Sequence, residues 1–448
     1  MARARRSGYT SWVSQVRFVT FGCKANQYDS QVLREALLRR GWRETDRGAD
    51  VVVVNTCTVT AEAGRKARQL IRRIGREEPA TKIAVTGCLA ESEPQVLREL
   101  PNVEWVFGNG DAKRPANFLR QLGHDVDPEE LGIPAGITEF HGHTRAFLKI
   151  QDGCDMACAF CIIPSVRGKS RSRTAAELCA EVADLVRHGH REIVLCGIHI
   201  GHWGRERGET LADLVRALSD LDVRDEGGCS IDFRVRLSSI EATEVTDPLV
   251  ELMAARPERI APHLHMPMQA GDDDVLRAMN RWYTVREYLD ACDRIRTRLD
   301  RPAFTADVLV GFPGETAAAF QNTLETVRRA GFARVHAFPF SHRPGTAAAH
   351  LAPVPPEEMR ARRAELSETA ADIGRAFRRS LVGATEHIVL EGSAGLSGRY
   401  QRVRVPLDDD ADRRGAIVPV RLEGHEKEQD GETTFELVGR PLTTEVCA

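Results

Sequence analysis

Three cysteines crowd into the stretch "DGCDMACAFCIIP" at 152–164: Cys154, Cys158 and Cys161. Their C-x3-C-x2-C spacing offers three soft thiolate ligands on one loop, with no fourth beside them. A structural zinc site wants four ligands, usually as two close pairs, and the next cysteine, Cys179, falls inside a helical pattern. Bacterial ferredoxin spacing, C-x2-C-x2-C-x3-C-P, also differs. Three thiolates fit three corners of a [4Fe–4S] cube, leaving one iron open to an exogenous ligand. Spacing also permits zinc, with His141, His143 or His199 completing the set, or three inert thiols.

A second triplet is scattered. Cys23 follows the apolar run "VRFVTF", Cys57 follows "VVVVNT" and Cys88 follows "TKIAVTG". Each interval is about one βα unit, which in a parallel sheet brings all three to the carboxyl edge, where open α/β sheets bind ligands. The basic "GRKARQ" at 64–69 would compensate thiolate charge there. A second three-cysteine cluster is the physical inference. Cys179, Cys196 and Cys292 lie in apolar patterns and read as small packed hydrophobes. Cys447 sits next to the last residue, where chains fray.

Elements must hold these thiols in place. Residues 15–110 alternate strands with helices, within an N-terminal domain expected at 15–130, the first helix being "SQVLREALLRRG" up to Gly41. Fully apolar strands alternating with helices indicate an open parallel α/β sheet covered on both faces. A Gly-, Pro- and Asp-rich linker follows at 111–143. Between 140 and 375 the strands "AFLKIQ", "REIVLCGI", "DFRVRLSS", "APHLHMPM", "AFTADVLVG" and "ARVHAFPF" alternate with helices, as in a partial, TIM-like (β/α)6 barrel. The cysteine loop then stands at the carboxyl end of the first barrel strand, where such folds put their chemistry. Short strands at 376–440, split by charged turns such as "DDDADRR" and "HEKEQDGE", indicate a small all-β barrel.

The chain has 448 residues, 62 basic and 65 acidic, for a net charge of −3. That excludes a whole-chain basic footprint, so a nucleic-acid site must be local. Eleven cysteines in a chain too large to need disulfide staples point to metal or catalytic roles. The basic N-terminus lacks an apolar segment of signal-peptide type, and apolar runs such as "VVVV" at 51–54 are too short to span a bilayer. The expectation is a cytoplasmic protein without a membrane partner.

Taken jointly, "TFGCKANQYDS", "NTCTVT", "GCLAE" and "LKIQDGCDMACAFCIIPSVRGKSRSR" resemble the methylthiotransferase family of radical S-adenosylmethionine (SAM) enzymes. The resemblance covers nearly the whole chain. It implies two [4Fe–4S] clusters, one on Cys154, Cys158 and Cys161 that binds SAM and generates a 5′-deoxyadenosyl radical, and an auxiliary one on Cys23, Cys57 and Cys88. It also implies an external electron donor, a sulfur donor of unknown identity, and a TRAM module, a small RNA-binding β-barrel, at 376–440. "LCGIHIGHWG" and "IQDGC" are most similar to the branch that modifies C2 of N6-threonylcarbamoyladenosine-37, which implies a tRNA with an ANN-decoding anticodon as partner. The isopentenyladenosine and ribosomal-protein aspartate branches are the enzymatic alternatives, and a zinc-stabilised RNA-binding protein is the non-enzymatic one. "SIEA" and "LHMPMQAG" depart from the family's usual "SIEP" and "Q-S-G" without removing a cysteine.

Gly197, Gly201, Gly311 and Gly314 sit at strand ends, either giving a backbone close approach to SAM or simply making tight turns. Glu315 and Thr316 read as helix-start residues. His263 and His265 share one strand face, as barrel-mouth or structural histidines. Arg167, Lys169, Arg171 and Arg173 form a basic run beside the cysteine loop, suited to RNA phosphates or to a solvated face.

Overall fold

The computed structural model describes residues 14–110, 113–126, 136–406, 413–429 and 432–442. Cys447 and the acidic run at 408–412 lie outside them. The chain forms two compact units, one ending at residue 135 and the other beginning at Gly136.

The first unit is built from β1 (Gln15–Thr20), α1 (Lys24–Arg39), β2 (Arg43–Glu44), β3 (Val51–Thr56), α2 (Ala61–Glu77), β4 (Lys82–Gly87), α3 (Cys88–Ser92), α4 (Pro94–Arg98), β5 (Val103–Phe107) and α5 (Pro115–Gln121). The strands form a parallel sheet in the order β2-β1-β3-β4-β5. β3 is buried along its whole length because helices cover both faces. Val52 and Val54 pack with Ala67, Ile71 and Ile74 of α2. Val51 and Val53 turn the other way, onto Leu33 and Leu37 of α1 and Phe118 of α5. α1 begins at Lys24, six residues before the helix expected from apolar periodicity. Its first turns are polar yet buried, with Asn26, Asp29, Ser30 and Gln31 all under 10% exposed.

The second unit opens with β6 (Ala146–Lys149), β7 (Gln151–Asp152), α6 (Ile163–Arg167), β8 (Arg171–Ser172), α7 (Ala175–Arg187), β9 (Glu192–Cys196), α8 (Leu211–Ser219), β10 (Arg234–Leu237) and α9 (Asp247–Ala255). It continues with β11 (His263–His265), α10 (Asp273–Ala278), α11 (Val285–Arg296), β12 (Ala303–Val310), α12 (Ala317–Ala330), β13 (Arg334–Pro339) and the long α13 (Pro356–Ser380). Two parallel three-stranded sheets, β6-β9-β10 and β11-β12-β13, are joined by the parallel bridges Val235–Ile260 and Ser239–His265. The result is the expected six-stranded partial barrel, open between β6 and β13. Threonine capping boxes start α7, α8 and α11.

The chain ends in a closed antiparallel-rich barrel of β14 (Thr385–Leu390), β15 (Ala394–Ser397), β16 (Arg402–Arg404), β17 (Ile417–Gln429) and β18 (Glu432–Pro441), in the order β14-β15-β16-β18-β17. Ile388, Leu390, Val403, Val420, Leu422 and Leu437 fill it, with Phe377 of α13 packed against them. Sequence reading missed β15. It also took "HEKEQDGE" for a solvated turn, whereas β17 runs on through His425 to Gln429 and pairs with β18.

This barrel plugs the floor of the central one. Glu192 opens β9 fully buried and receives Arg234 Nε (2.9 Å) and Arg236 Nε (2.8 Å) from β10. The remaining donors of the two arginines reach backbone carbonyls of the C-terminal barrel: His387 (2.8 Å), Ser397 (2.9 Å) and Gly398 (2.8 Å). Tyr400 follows at φ +60°, stacked on His263 with ring centroids 4.6 Å apart.

Candidate functional site: two cysteine triplets

In the first unit, β1, β3 and β4 are adjacent in the sheet, so the residues after their carboxyl ends are neighbours. Cys23 caps the N-terminus of α1, Cys57 follows β3 and Cys88 opens α3. Two glycines let these loops meet. At Gly22 (φ +100°) a Cβ would stand 3.1 Å from Cys57 Sγ, and at Gly87 (φ +94°) it would stand 2.3 Å from the Thr56 carbonyl oxygen. Asn26 ties the loops by donating to the carbonyls of Phe21 and Thr56, both at 2.9 Å. Asn55 donates to the carbonyl of Asn26 at 2.8 Å, and Thr56 to that of Thr86 at 2.6 Å. Cys57 and Cys88 are buried and Cys23 is exposed, so the edge has a solvent-facing side. Three soft donors on one edge, with the positive end of α1 behind Cys23, suit a thiolate-held cluster.

In the second unit the loop from β6 to α7 is pinched shut by the short β7–β8 ladder. Gly153 (φ +76°) admits no side chain, since a Cβ would lie 2.0 Å from the Lys169 carbonyl oxygen. Gln151 links this loop to the one after β9. Its amide donates to the Gly153 carbonyl (2.7 Å) and Ser170 Oγ (2.9 Å), while its Oε1 accepts from the amides of Ile198 (3.0 Å) and His199 (2.8 Å).

Each of two thiols has a cation beside it. Arg281 Nη1 donates to Cys158 Sγ at 3.2 Å, while its Nη2 is anchored on Glu241. Trp282 and Tyr283 flank the guanidinium at 4.3 and 4.9 Å. His199 Nδ1 lies 3.6 Å from Cys154 Sγ, and its Nε2 lies 2.8 Å from Glu244, which also receives His202 at 3.1 Å. Burial pushes the Cys161 thiol up to about 12. Burial also raises Cys158, and Arg281 pulls in the opposite direction. For His199, burial disfavours the charge, but bonds to Cys154 and Glu244 outweigh it and hold the pKa near 9. Thiols raised by burial need a compensating cation to bind as thiolates, and Arg281 is the permanent one.

The other sequence candidates separate on inspection. Arg167 is a correction: it is buried and its charge is spent on Asp152 at 2.8 Å, so it cannot meet phosphate. Arg173 is held by Glu181 at 2.6 Å. Lys169 and Arg171 are exposed. Side chains at Gly197, Gly201 and Gly311 would strike the Gln151 carbonyl, Glu244 and Met359, so protein packing alone accounts for these glycines. Gly314 (φ +87°) faces open space. Thr316 caps α12 as expected, but Glu315 instead binds Arg362 of α13 at 2.7 Å. His263 and His265 share Thr305 Oγ1 at 3.0 and 2.9 Å, a structural role. Cys196 and Cys292 are buried, whereas Cys179 is half-buried. Of the three possible zinc histidines, His141 is exposed beside Glu139 and His143 packs on Phe140, which leaves only His199 at the triplet. Geometry alone leaves a Cys3His set open.

Comparison with known proteins decides the family. Residues 148–327 match the model of the Radical SAM superfamily, and residues 15–108 match that of Uncharacterized protein family UPF0004. A threonylcarbamoyladenosine tRNA methylthiotransferase of Bacillus subtilis is 39% identical over 76% of this chain and 76% of its own. The Thermotoga maritima protein of the same name is 35% identical over 92% of this chain and 95% of its own. The chain belongs to the radical SAM tRNA methylthiotransferase family. A tRNA-2-methylthio-N(6)-dimethylallyladenosine synthase of Cereibacter sphaeroides is also similar, 34% identical over 90% of this chain and 94% of its own. The radical SAM methyltransferase TsrM of Kitasatospora setae shares the fold, with a TM-score of 0.54 at 14% identity over 85% of this chain and 78% of that one.

The radical SAM fold implies an iron–sulfur and SAM site, and the Cys154–Cys161 loop has soft donors suited to one. Sequence reading missed the residues that support both edges: Asn26, Asn55 and Gln151, which knit the loops, and Arg281 with Glu241. Asn26 and Asn55 stand inside the quoted cysteine motifs, so the signal was present. Arg281 lies 123 residues from Cys158, beyond any local pattern.

Proposed function

We propose that this enzyme inserts a methylthio group at C2 of N6-threonylcarbamoyladenosine-37 in tRNAs with ANN-decoding anticodons. The observation that carries this reading is the joint presence of two cysteine triplets, each at the carboxyl edge of its own parallel sheet, in a chain aligned over 95% of a relative bearing that activity in its name. Cys154, Cys158 and Cys161 would hold the SAM-binding [4Fe–4S] cluster, and Cys23, Cys57 and Cys88 an auxiliary [4Fe–4S] cluster. When bound, the first cluster supplies one-electron cleavage of SAM and so hydrogen abstraction from an unreactive C–H, chemistry that side chains cannot supply. Arg281 offsets thiolate charge at Cys158, the buried Tyr283 screens one side of its guanidinium from water, and Gln151 keeps the loop in register with the turn after β9. The C-terminal barrel acts as the TRAM module, and Lys169 and Arg171 reach phosphates beside the cluster loop. Electron and sulfur donors come from outside the chain, in the cytoplasm; no helix among the described residues is long and apolar enough to cross a membrane.

The test is mass analysis of tRNA nucleosides from a strain lacking the gene. Loss of 2-methylthio-threonylcarbamoyladenosine supports the assignment, and its persistence refutes it. The Cereibacter relative favours a second reading, which loss of the 2-methylthio-isopentenyl nucleoside instead would establish. Anaerobic metal analysis should give about eight irons with matching sulfide. One or two zincs without sulfide would overturn the cluster assignment.

A further inference from the structure

Away from the cysteines, a cavity of about 730 Å³ opens between α13 and the C-terminal barrel, reaching the start of β13. A second, of about 590 Å³, shares Ala371, Arg378, Thr434 and Phe435 with it, so the two form one trough along α13. The helix contributes Ser367, Ala371, Gly374, Arg375 and Arg378, an i, i+4, i+7 stripe with small residues on its floor. Six arginines line the trough: Arg334, Arg375, Arg378, Arg379, Arg402 and Arg404, against the carboxylates of Glu368, Glu426 and Glu436. The chain as a whole is net negative, so this is a local concentration of positive charge.

The arginines are not equivalent. Arg375 is paired with Asp372, and Arg379 with Glu426 at 2.7 Å. Arg402 and Arg404 make only long contacts, 3.6 and 3.5 Å, to Glu391 and Glu436. Arg334 and Arg378 have no carboxylate partner among the described residues. Arg378 is half-buried in the trough and next to the like charge of Arg375, both of which disfavour its charge. A half-buried guanidinium left without a counter-ion is costly unless a ligand supplies one. The length of the trough, open at the surface and lined by spaced guanidinium groups, suits an extended polyanion better than a compact one.

The geometry points to this trough as the seat of the tRNA phosphate backbone, with Arg334 and Arg378, which have no carboxylate partner among the described residues, as its phosphate ligands. This rests on the reading of tRNA as substrate and adds where the RNA lies on the C-terminal half. Because these contacts are to phosphate, they set affinity and orientation and carry no choice of modified base.

The test is tRNA binding by the full-length, cluster-loaded enzyme, measured by fluorescence anisotropy across a salt series. The double variant R334Q/R378Q should bind at least tenfold more weakly at low salt, with the slope of log K against log[salt] shallower by roughly 2, about one per lost phosphate contact. A371E, which adds a carboxylate to the floor, should weaken binding in the same way. The control R277Q/R286Q, on exposed arginines of α10 and α11, should match wild type. If wild type binds tRNA and both trough variants match it in affinity and slope, the trough assignment is wrong. If wild type itself does not bind tRNA, the substrate reading falls and this inference with it.

Discussion

Replacing Glu192 by Gln should cost the second unit about 3 kcal/mol. The carboxylate is fully buried between Arg234 and Arg236, with Arg145 at 3.7 Å. Removing one partner of a buried ionic cluster leaves uncompensated charge, for which about 3–5 kcal/mol is typical. Glutamine keeps one acceptor oxygen, which argues for the lower end. Urea unfolding under anaerobic conditions, followed by tryptophan fluorescence, should show the midpoint of the second unit falling by about 1 M for a slope near 3 kcal/mol/M. Acid adds a sign. Burial alone would raise the Glu192 carboxyl, but Arg236 and Arg234 outweigh it and hold it far below its ordinary value of 4.5. A carboxylate depressed in the folded state stabilises above its unfolded pKa and loses that contribution as pH falls below it. The gap between wild type and E192Q should therefore be full at pH 7 and shrink steadily below about pH 4.5. A gap under about 1 kcal/mol at pH 7, or one that grows on acidification, would show that the floor is held by its carbonyl contacts and not by its charges.

Three further outcomes follow from the cysteine loops. R281Q should retain iron but shift the midpoint potential of the SAM-site cluster to more negative values, because a charge-bearing donor to a cluster sulfur favours the reduced state; an unchanged potential by EPR-monitored titration would remove Arg281 from that role. G153A should lose roughly half the iron, since its Cβ has no room beside the Lys169 carbonyl; full iron content would mean the loop can reopen elsewhere. C57A should also lose roughly half the iron and abolish methylthiolation while keeping some SAM cleavage; loss of both clusters together would contradict their independence.

That the six thiols stand at the carboxyl ends of strands in two parallel sheets was legible because the signals are local. One triplet is a spacing within a single loop, and the other follows three apolar strands whose period announces a parallel sheet. What failed was whatever depended on a distant partner. "RGKSRSR" looks like a basic run, but Arg167 is committed to Asp152 fifteen residues earlier and buried with it. α1 was started too late because "KANQYDS" looks polar, yet hydrogen bonds between loops bury it. β15 was missed because "AGLS" offers four residues of weak pattern, and only its neighbours β14 and β16 make it a strand. Arg234 and Arg236 did leave a trace. Two arginines at alternate positions of an otherwise apolar strand imply a buried acid on the same face.

How completely an arginine's donors are spent separates structure from function across this chain. At the floor of the central barrel, every guanidinium nitrogen of Arg234 and Arg236 has an acceptor, carboxylate on one side and carbonyls of the C-terminal barrel on the other. Those charges have nothing left for a ligand, and they fasten two domains together. At the mouth, Arg281 gives one nitrogen to a carboxylate and one to a thiol, and its buried Nε has no hydrogen-bond partner among the described residues. The cation is thus positioned by protein but not satisfied by it, as a group must be if it is to respond to what binds at Cys158. The trough repeats the distinction with its paired Arg375 and Arg379 and with Arg334 and Arg378, which have no carboxylate partner among the described residues. Charge removal at the first kind of site should therefore register as stability, and at the second kind as potential or affinity with stability nearly unchanged.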